Sequence, residues 1–165
     1  MDALEQIKYP IGRYIAPTEF NPQLIKGWIA AIEALPTWLD PCIENLDEAQ
    51  LEVPYRDGGW NSRQVIHHIA DSHMNAYIRL KLALTEDNPT IKPYDENKWA
   101  VLDDVESVPV NVSITLLHAL HRRWAAQLRS LSDSDWERTY FHPEQNKSVP
   151  IWQMTALYAW HGRHH

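Results

Sequence analysis

The C-terminal sequence "AWHGRHH" places three of the chain's nine histidines within five residues. His161 and His165 are four positions apart, the spacing at which two imidazoles on one helix face can chelate a metal ion. At about 100° per residue, both fall on the apolar helix face that begins at Ile151, whereas His164 lies off it. We therefore expect His161 and His165 to point into the protein.

Two other interpretations of this segment remain open. The pair could be hydrogen-bonded histidines at the edge of a core, or the segment could be the remnant of a purification tag. The segment also lacks the glutamate that follows the first histidine in zinc-peptidase helices. It therefore contains no built-in general base.

A second group of polar side chains lies in the segment "VIHHIADSHMNAYIRLKLAL". Spacings of four, three and four residues place His68, Ser72, Asn75 and Arg79 in one stripe beside the apolar face of a helix. Such a stripe is typical of a helix that lines a wet pocket, and equally of a solvated surface. His73, by contrast, falls on the apolar face itself.

A third group of histidines occurs in "LLHALHRRWAAQL". His121 lies among Leu117, Trp124 and Leu128 on the apolar side of the expected helix, and His118 lies at the edge of that side. The pattern favours a hydrogen-bonded structural role for each. Pocket lining, or support of a metal ligand from behind, is the alternative.

Helical periodicity indicates which elements must position these histidines. Apolar residues at three- and four-residue spacing predict a first helix over residues 22–46, with Asn21 as N-cap and Pro22 in its first turn. We expect Pro36 and Pro41 to kink or divide this helix, because proline has no backbone N–H to donate.

Three further helices follow. The second is predicted from Asn61 to about Thr85, with Gln64 completing a capping box. The third covers about 111–131, and the fourth starts near Pro150. No convincing alternating strand pattern is present, so the sequence predicts an all-α four-helix bundle with long inter-helix loops. The long loop at 85–109 is of the kind that often forms a functional lid.

Composition narrows the possible functions. A chain of 165 residues fits one domain, 1–165. Its net charge of −7 argues against a nucleic-acid surface, and no uninterrupted apolar stretch is long enough to span a membrane. We expect a cytoplasmic protein. The single cysteine, Cys42, excludes an intramolecular disulfide and any multi-cysteine zinc site, and we expect it to be a core thiol.

Four segments of the chain carry a family resemblance: "GGWNSRQVIHHIADSHMNAYIRLKLALTE", "PYDENKW", "LHALHRRWAAQLRSLSDSDWERTYFHPE" and "LYAWHGRHH". They resemble the YfiT branch of the DinB-like superfamily, and the match covers nearly the whole chain from "YPIG" onward. The resemblance implies a four-helix bundle, often dimeric, that holds a divalent metal ion with three histidines. The family's last helix usually continues for another turn or more, so we expect the natural helix to extend beyond His165.

The family pattern also identifies the third ligand. In that pattern a tryptophan is followed eight positions later by a histidine that precedes an apolar residue, alanine and aspartate, and it falls on Trp60 and His68. The resemblance thus implies His68, His161 and His165 as the ligands of one metal ion per chain. Zinc is the first expectation and nickel the second, although imidazole suits several transition metals.

The implied activity is that of a metal-dependent hydrolase acting on a small molecule. Three imidazoles leave a coordination position open, and a metal in such a site activates water. Related DinB-like proteins are low-molecular-weight thiol S-transferases, so metal-dependent transfer of a small thiol is an alternative, because a coordinating thiol loses its proton. A non-catalytic, stress-related metal-binding protein is a third possibility.

The remaining site assignments are expectations about the surroundings of the metal. Asp71 could orient an imidazole ligand from behind, or could lie on the helix surface. Arg79 could bind a substrate carboxylate with two hydrogen bonds, or could be solvated. We assign Ser72, Asn75, Arg79 and His121 to substrate binding and leave the catalytic residue unassigned. We also expect a homodimer.

Overall fold

The computed structural model describes residues 3–165, and its main feature is a bundle of four long helices. In chain order the elements are α1 (Ala3–Lys8), α2 (Pro22–Ile43), α3 (Glu48–Leu51), α4 (Ser62–Thr85), α5 (Glu96–Trp99), α6 (Asp103–Ser107), α7 (Val110–Arg129), α8 (Asp133–Trp136), β1 (Thr139–His142), β2 (Lys147–Pro150) and α9 (Ile151–His164). Helices α2 and α4 each pack against α7 and α9. The prediction of a four-helix bundle is confirmed.

Local sequence signals determine where the long helices begin. The Asn61 side chain accepts a hydrogen bond from the Gln64 backbone N–H at 2.8 Å, and the Gln64 side chain accepts one from the Asn61 N–H at 3.1 Å. This reciprocal pair satisfies two N–H groups that the first turn of α4 leaves without partners. The Asn21 side chain caps α2 with a single bond, which it accepts from the N–H of Gln23. Both predicted starts are confirmed.

Helix α2 runs without interruption from Pro22 to Ile43, so of the two expected effects of Pro36 and Pro41, a kink or a division, the division does not occur. Pro36 is almost fully buried. Having no N–H, it leaves the carbonyl of Ile32, four residues earlier, without its usual helical donor. The ring of His121 on α7 contacts this carbonyl through Nδ1. The bond that proline removes from the helix is thus replaced from a neighbouring helix.

A short antiparallel hairpin precedes α9, in contrast to the expectation that no strand would form. Strands β1 and β2 pair from Thr139 opposite Pro150 to His142 opposite Lys147. Phe141 of β1 also exchanges backbone hydrogen bonds with the long acidic loop, donating to Pro89 at 2.9 Å and accepting from Ile91 at 3.1 Å. Strands of four residues are too short to give a clear alternating pattern in sequence.

The bundle contains two apolar clusters. The larger includes Leu80, Trp124 and Met154. The smaller includes Leu35, Ile66, Ile69, Ala70, Ile114 and Leu117. Along α4 and α7, His73 and His121 lie between the residues of one cluster and those of the other, and both are almost fully buried. The apolar core is therefore divided by a layer of histidine.

Two further observations concern the single cysteine and the search for a membrane-spanning helix. Cys42 is exposed, so the prediction of a core thiol is wrong. Within residues 3–165, the structure contains no helix that is both long enough and apolar enough to cross a membrane.

Candidate metal centre

Three histidine side chains from two helices converge at one end of the bundle. His68 comes from α4, His161 from the last turn of α9, and His165 follows that turn directly. One nitrogen from each ring lies within 4.8 Å of those of the other two. The ring centroid of His68 lies 5.5 Å from that of His161 and 5.1 Å from that of His165. The structure thus brings together the three histidines that the sequence singled out, in an arrangement that could hold a metal ion.

The electrostatics of the cluster keep its rings uncharged at neutral pH. Burial lowers the pKa of His68 to about 4, and burial together with His68 and His164 lowers the pKa of His165 to about 3. The pKa of His161 is held well below its usual value, first by burial and then by the neighbouring histidines. A neutral imidazole retains the lone pair that a metal ligand requires. The chemistry of this donor set therefore fits a transition-metal ion.

Aromatic rings pack around the cluster. Trp60 lies against His68 with ring centroids 4.8 Å apart, so the Trp-to-His spacing of the sequence pattern corresponds to a direct contact. His164 stacks between Tyr9 and Trp160 at centroid distances of 5.7 and 4.5 Å. His164 thus belongs to an aromatic stack beside the three converging rings.

Two more histidines connect the cluster to the core. His73 Nε2 lies 3.0 Å from His161 Nδ1, and His73 Nδ1 lies 3.0 Å from His121 Nε2. His121 Nδ1 contacts the carbonyl of Ile32. Periodicity places His73 only on the apolar face and gives no sign of this contact with His161. The buried proline at position 36 is the signal that could have revealed a free backbone acceptor nearby.

The residues assigned to substrate binding lie in other surroundings. Ser72 Oγ is 3.4 Å from the hydroxyl of Tyr158, and Asn75 donates to the backbone carbonyl of Asp71 at 2.9 Å. Arg79 is half-buried, and its positive charge acts on the hydroxyl of Tyr140. His121 lies in the core, behind the cluster. Their role in substrate binding stays a prediction.

Asp71 is half-buried on α4. Burial, reinforced by the negative charge of Asp104, raises the pKa of its carboxyl to about 6. Among the described residues, no hydrogen bond joins this carboxyl to a ring nitrogen of His68, His161 or His165. The contact with a ring nitrogen of the cluster is instead made by His73, which meets His161.

A cavity of about 630 Å³ adjoins the cluster at His165. Its apolar wall comes mainly from α2 and α4 and comprises Leu39, Ile43, Leu46, Val65, Ile66 and Ile69. Its polar rim comes from α1, the loop before α4, and α5, and includes Lys8, Arg56, Asn61, Glu96 and Asn97. Cys42 also lines it. Sequence reasoning missed these residues because separate segments contribute them, and no single helix periodicity connects them.

Comparisons with known sequences place these features in a family. The sequence model of the DinB superfamily matches residues 30–165. A protein of Oceanobacillus iheyensis with the name "Putative metal-dependent hydrolase" is 53% identical over 96% of this chain and 91% of its own length. A Bacillus cereus protein of the same name is 51% identical over 98% of this chain and 92% of its own.

Solved structures give the same result for the fold. YfiT from Bacillus subtilis, described as "a probable metal-dependent hydrolase with an unusual four-helix bundle topology", superposes with a TM-score of 0.93 at 43% identity, over 96% of this chain and 91% of that one. A mycothiol-dependent maleylpyruvate isomerase superposes with a TM-score of 0.61 at 17% identity, over 85% of this chain and 60% of that one. At that identity the second likeness concerns the fold alone.

Proposed function

The chain belongs to the DinB superfamily, and we propose that it is a metal-dependent hydrolase in which His68, His161 and His165 hold one divalent cation. The observation that carries this proposal is the convergence of three imidazole nitrogens within 4.8 Å of one another. The lowered pKa values of all three rings support it, because each is a neutral donor at physiological pH.

We propose zinc as the ion, with nickel second. Three protein ligands are typical of catalytic zinc sites, whereas structural sites are usually closed by four. When bound, such an ion supplies Lewis acidity that lowers the pKa of water towards about 7. The protein's own contribution is to hold three neutral rings in a fixed arrangement and to shield them from solvent on the bundle side.

The cavity beside His165 is the proposed substrate site. Its volume of about 630 Å³ falls within the range of small-molecule pockets, roughly 300–1,000 Å³. The wall from α2 and α4 suits an apolar body, and the rim offers the cations Lys8 and Arg56. We therefore propose a small substrate with an apolar body and a polar, hydrolysable group directed towards the histidines.

Metal analysis and a substrate panel test this proposal together. Purified protein should contain close to one divalent ion per chain, and it should hydrolyse at least one class among esters, amides and lactones. Chelation should abolish turnover, and re-addition of zinc or nickel should restore it. His161→Ala should lose both metal and activity. Hydrolysis that persists in His161→Ala, or after chelation, would overturn the proposal.

The same experiment distinguishes the other two candidate functions. A rate that requires both the metal and an added small thiol, without hydrolysis, would replace the hydrolase with a thiol S-transferase. Stoichiometric metal without turnover of either kind would indicate a metal-binding protein that is not an enzyme.

The single cysteine allows a separate test of the cavity. Cys42 is exposed and lines the cavity, so a bulky maleimide should attach there alone and obstruct the substrate. Activity should fall while the metal content stays constant. Modification with a small methylthiolating reagent is the matched control and should have a weaker effect. Full activity after complete bulky labelling would place the substrate elsewhere.

A further inference from the structure

We infer that His73 and His121 form a hydrogen-bonded chain that places the proton of His161 on Nδ1 and directs the Nε2 lone pair of His161 towards His68 and His165. The chain begins at the carbonyl of Ile32, which Pro36 leaves free. The inference rests on the proposed function only in treating His161 as a metal ligand. His73 and His121 are positioning residues, because they act through His161.

The direction of the chain is determined at its inner end. Pro36 cannot donate to the Ile32 carbonyl, and this carbonyl instead contacts His121 Nδ1. A carbonyl oxygen can only accept a hydrogen bond. His121 must therefore carry a proton on Nδ1 and donate it to Ile32.

The remaining proton positions follow in sequence. A neutral His121 with a proton on Nδ1 has a bare Nε2, which accepts from His73 Nδ1–H across 3.0 Å. A neutral His73 then has a bare Nε2, which accepts from His161 Nδ1–H across 3.0 Å. His161 is left with an unprotonated Nε2. This is the nitrogen that faces away from His73, and it is the one free to act as a ligand.

The surroundings keep the intermediate rings neutral, as this sequence of bonds requires. His73 is fully buried, with its ring edge-on to Trp124 and Tyr158. Burial lowers the pKa of His121 to about 4. A doubly protonated His73 would donate at both nitrogens and would reverse the bond to His161. The apolar clusters on either side of this layer disfavour that charge.

Metal-bound histidines generally donate their second N–H to a carboxylate, a backbone carbonyl or water, which orients the ring. In this protein the carbonyl of Ile32 is separated from the ligand His161 by two imidazoles, those of His121 and His73. The proline in α2, far from the cluster in sequence, thereby determines the tautomer of a residue in α9.

Nuclear magnetic resonance of the metal-free, nitrogen-15-labelled full chain tests the inference directly. Two-bond proton–nitrogen correlations identify which nitrogen of each histidine is protonated. We expect Nδ1–H in His121, His73 and His161. A proton on Nε2 of His161, or a cationic His73 at pH 7.5, would overturn the inference. This readout needs neither metal nor substrate, so it decides the inference even if the protein proves not to be a hydrolase.

Metal affinity in variants provides the second test. Glutamine can donate through its amide nitrogen and accept through its oxygen, so His73→Gln can keep the direction of the chain, whereas His73→Phe cannot. Competition with a chelator should show zinc binding about 10–100-fold weaker in His73→Phe. His73→Gln should recover most of this loss.

The control for these variants is His118→Phe. His118 is an exposed histidine on α7. It pairs with Asp40 and takes no part in the hydrogen-bonded chain of His73 and His121. Its substitution should leave zinc affinity unchanged. Equal affinity in folded His73→Phe and wild type, or a His73→Gln variant as weak as His73→Phe, would contradict the inference. If His73→Phe does not fold, the histidine tautomers of the wild-type protein and the zinc affinity of His73→Gln still decide whether the inference is correct.

Discussion

The two sides of the histidine cluster are built differently. On the inner side, His73, His121 and the Ile32 carbonyl form a buried series in which both nitrogens of His73 and both of His121 have partners. On the outer side, Trp60, His164 and His165 border a cavity of about 630 Å³, and His165 is the most exposed of the three converging residues. The inner side fixes the ring of His161 in place, and the outer side provides space for a ligand.

The difference shows how a small bundle can combine rigidity with access. A buried polar layer costs stability unless every member is hydrogen-bonded, and a fully bonded layer specifies one arrangement of its side chains. The inner side meets that condition within the core. The polar rim of the cavity on the outer side takes its residues from α1, the loop before α4, and α5, which can vary in sequence without disturbing the layer.

The largest expected effect separates two of the proposed ligands, His161 in the last turn of α9 and His165, which directly follows it. In the metal-free protein, His161→Ala removes a packed ring and leaves His73 Nε2 buried without a donor. It should therefore lower the free energy of unfolding by about 3 kcal/mol. His165→Ala removes a ring at the edge of the cavity and should lower it less, by about 1 kcal/mol. Urea denaturation of both variants without metal measures the difference.

Zinc affinity provides the matching comparison. Both alanine variants lose a proposed ligand, so both should bind zinc far more weakly than the wild type does. The distinction between the two sides thus applies to stability, whereas the loss of metal is common to both. Equal destabilisation by the two substitutions would remove the basis for treating the inner side as structural.

Sequence patterns predicted much of the fold for clear physical reasons. The caps at Asn21 and Asn61 and the three- and four-residue spacing of apolar side chains are local signals, and the helices that depend on them formed as expected. The uninterrupted α2 could not be predicted. Its tolerance of Pro36 depends on a donor from His121, which is 85 positions away in sequence.

The site shows the same division between local and long-range information. His161 and His165 share one helix face, so their proximity follows from spacing alone. The addition of His68 required a family pattern, because the packing of α4 on α9 is a tertiary contact. Periodicity placed His73 among apolar residues, which is where it lies. Hydrophobic patterns carry no information about which ring nitrogens of His73, His121 and His161 contact one another.

A second, smaller effect should appear in the pH dependence of stability. Burial lowers the folded pKa of His121 to about 4, whereas an unfolded histidine has the ordinary value of 6.5. As the pH falls below 6.5, the unfolded chain binds a proton that the folded chain does not, so stability decreases. At pH 5.5 this one residue should cost about 1.4 kcal/mol relative to neutral pH.

His121→Gln isolates that contribution because glutamine does not titrate. The loss of stability between pH 7.5 and pH 5.5 in the metal-free protein should be smaller in the variant by about 1.4 kcal/mol. Urea midpoints at the two pH values provide the measurement. Identical losses in variant and wild type would mean that His121 titrates normally, which is incompatible with a buried, neutral inner side.

The smallest expected effect concerns Gly162, the glycine between the proposed ligands His161 and His165. A Cβ on Gly162 would lie 2.6 Å from Cδ2 of Leu35, which is itself buried, so Gly162→Ala must displace the Leu35 side chain or push α9 away from α2 beside the bond between His161 and His73. Overpacking of about 2 kcal/mol, offset by about 1 kcal/mol of helix propensity, should leave a net loss near 1 kcal/mol and weaker zinc binding. Gly27→Ala is the matched control: nothing lies within 4 Å of its Cβ, so α2 should gain about 0.5–1 kcal/mol with zinc affinity unchanged. A Gly162→Ala variant that matches Gly27→Ala in both measurements would show that the inner side does not depend on close contact between α2 and α9.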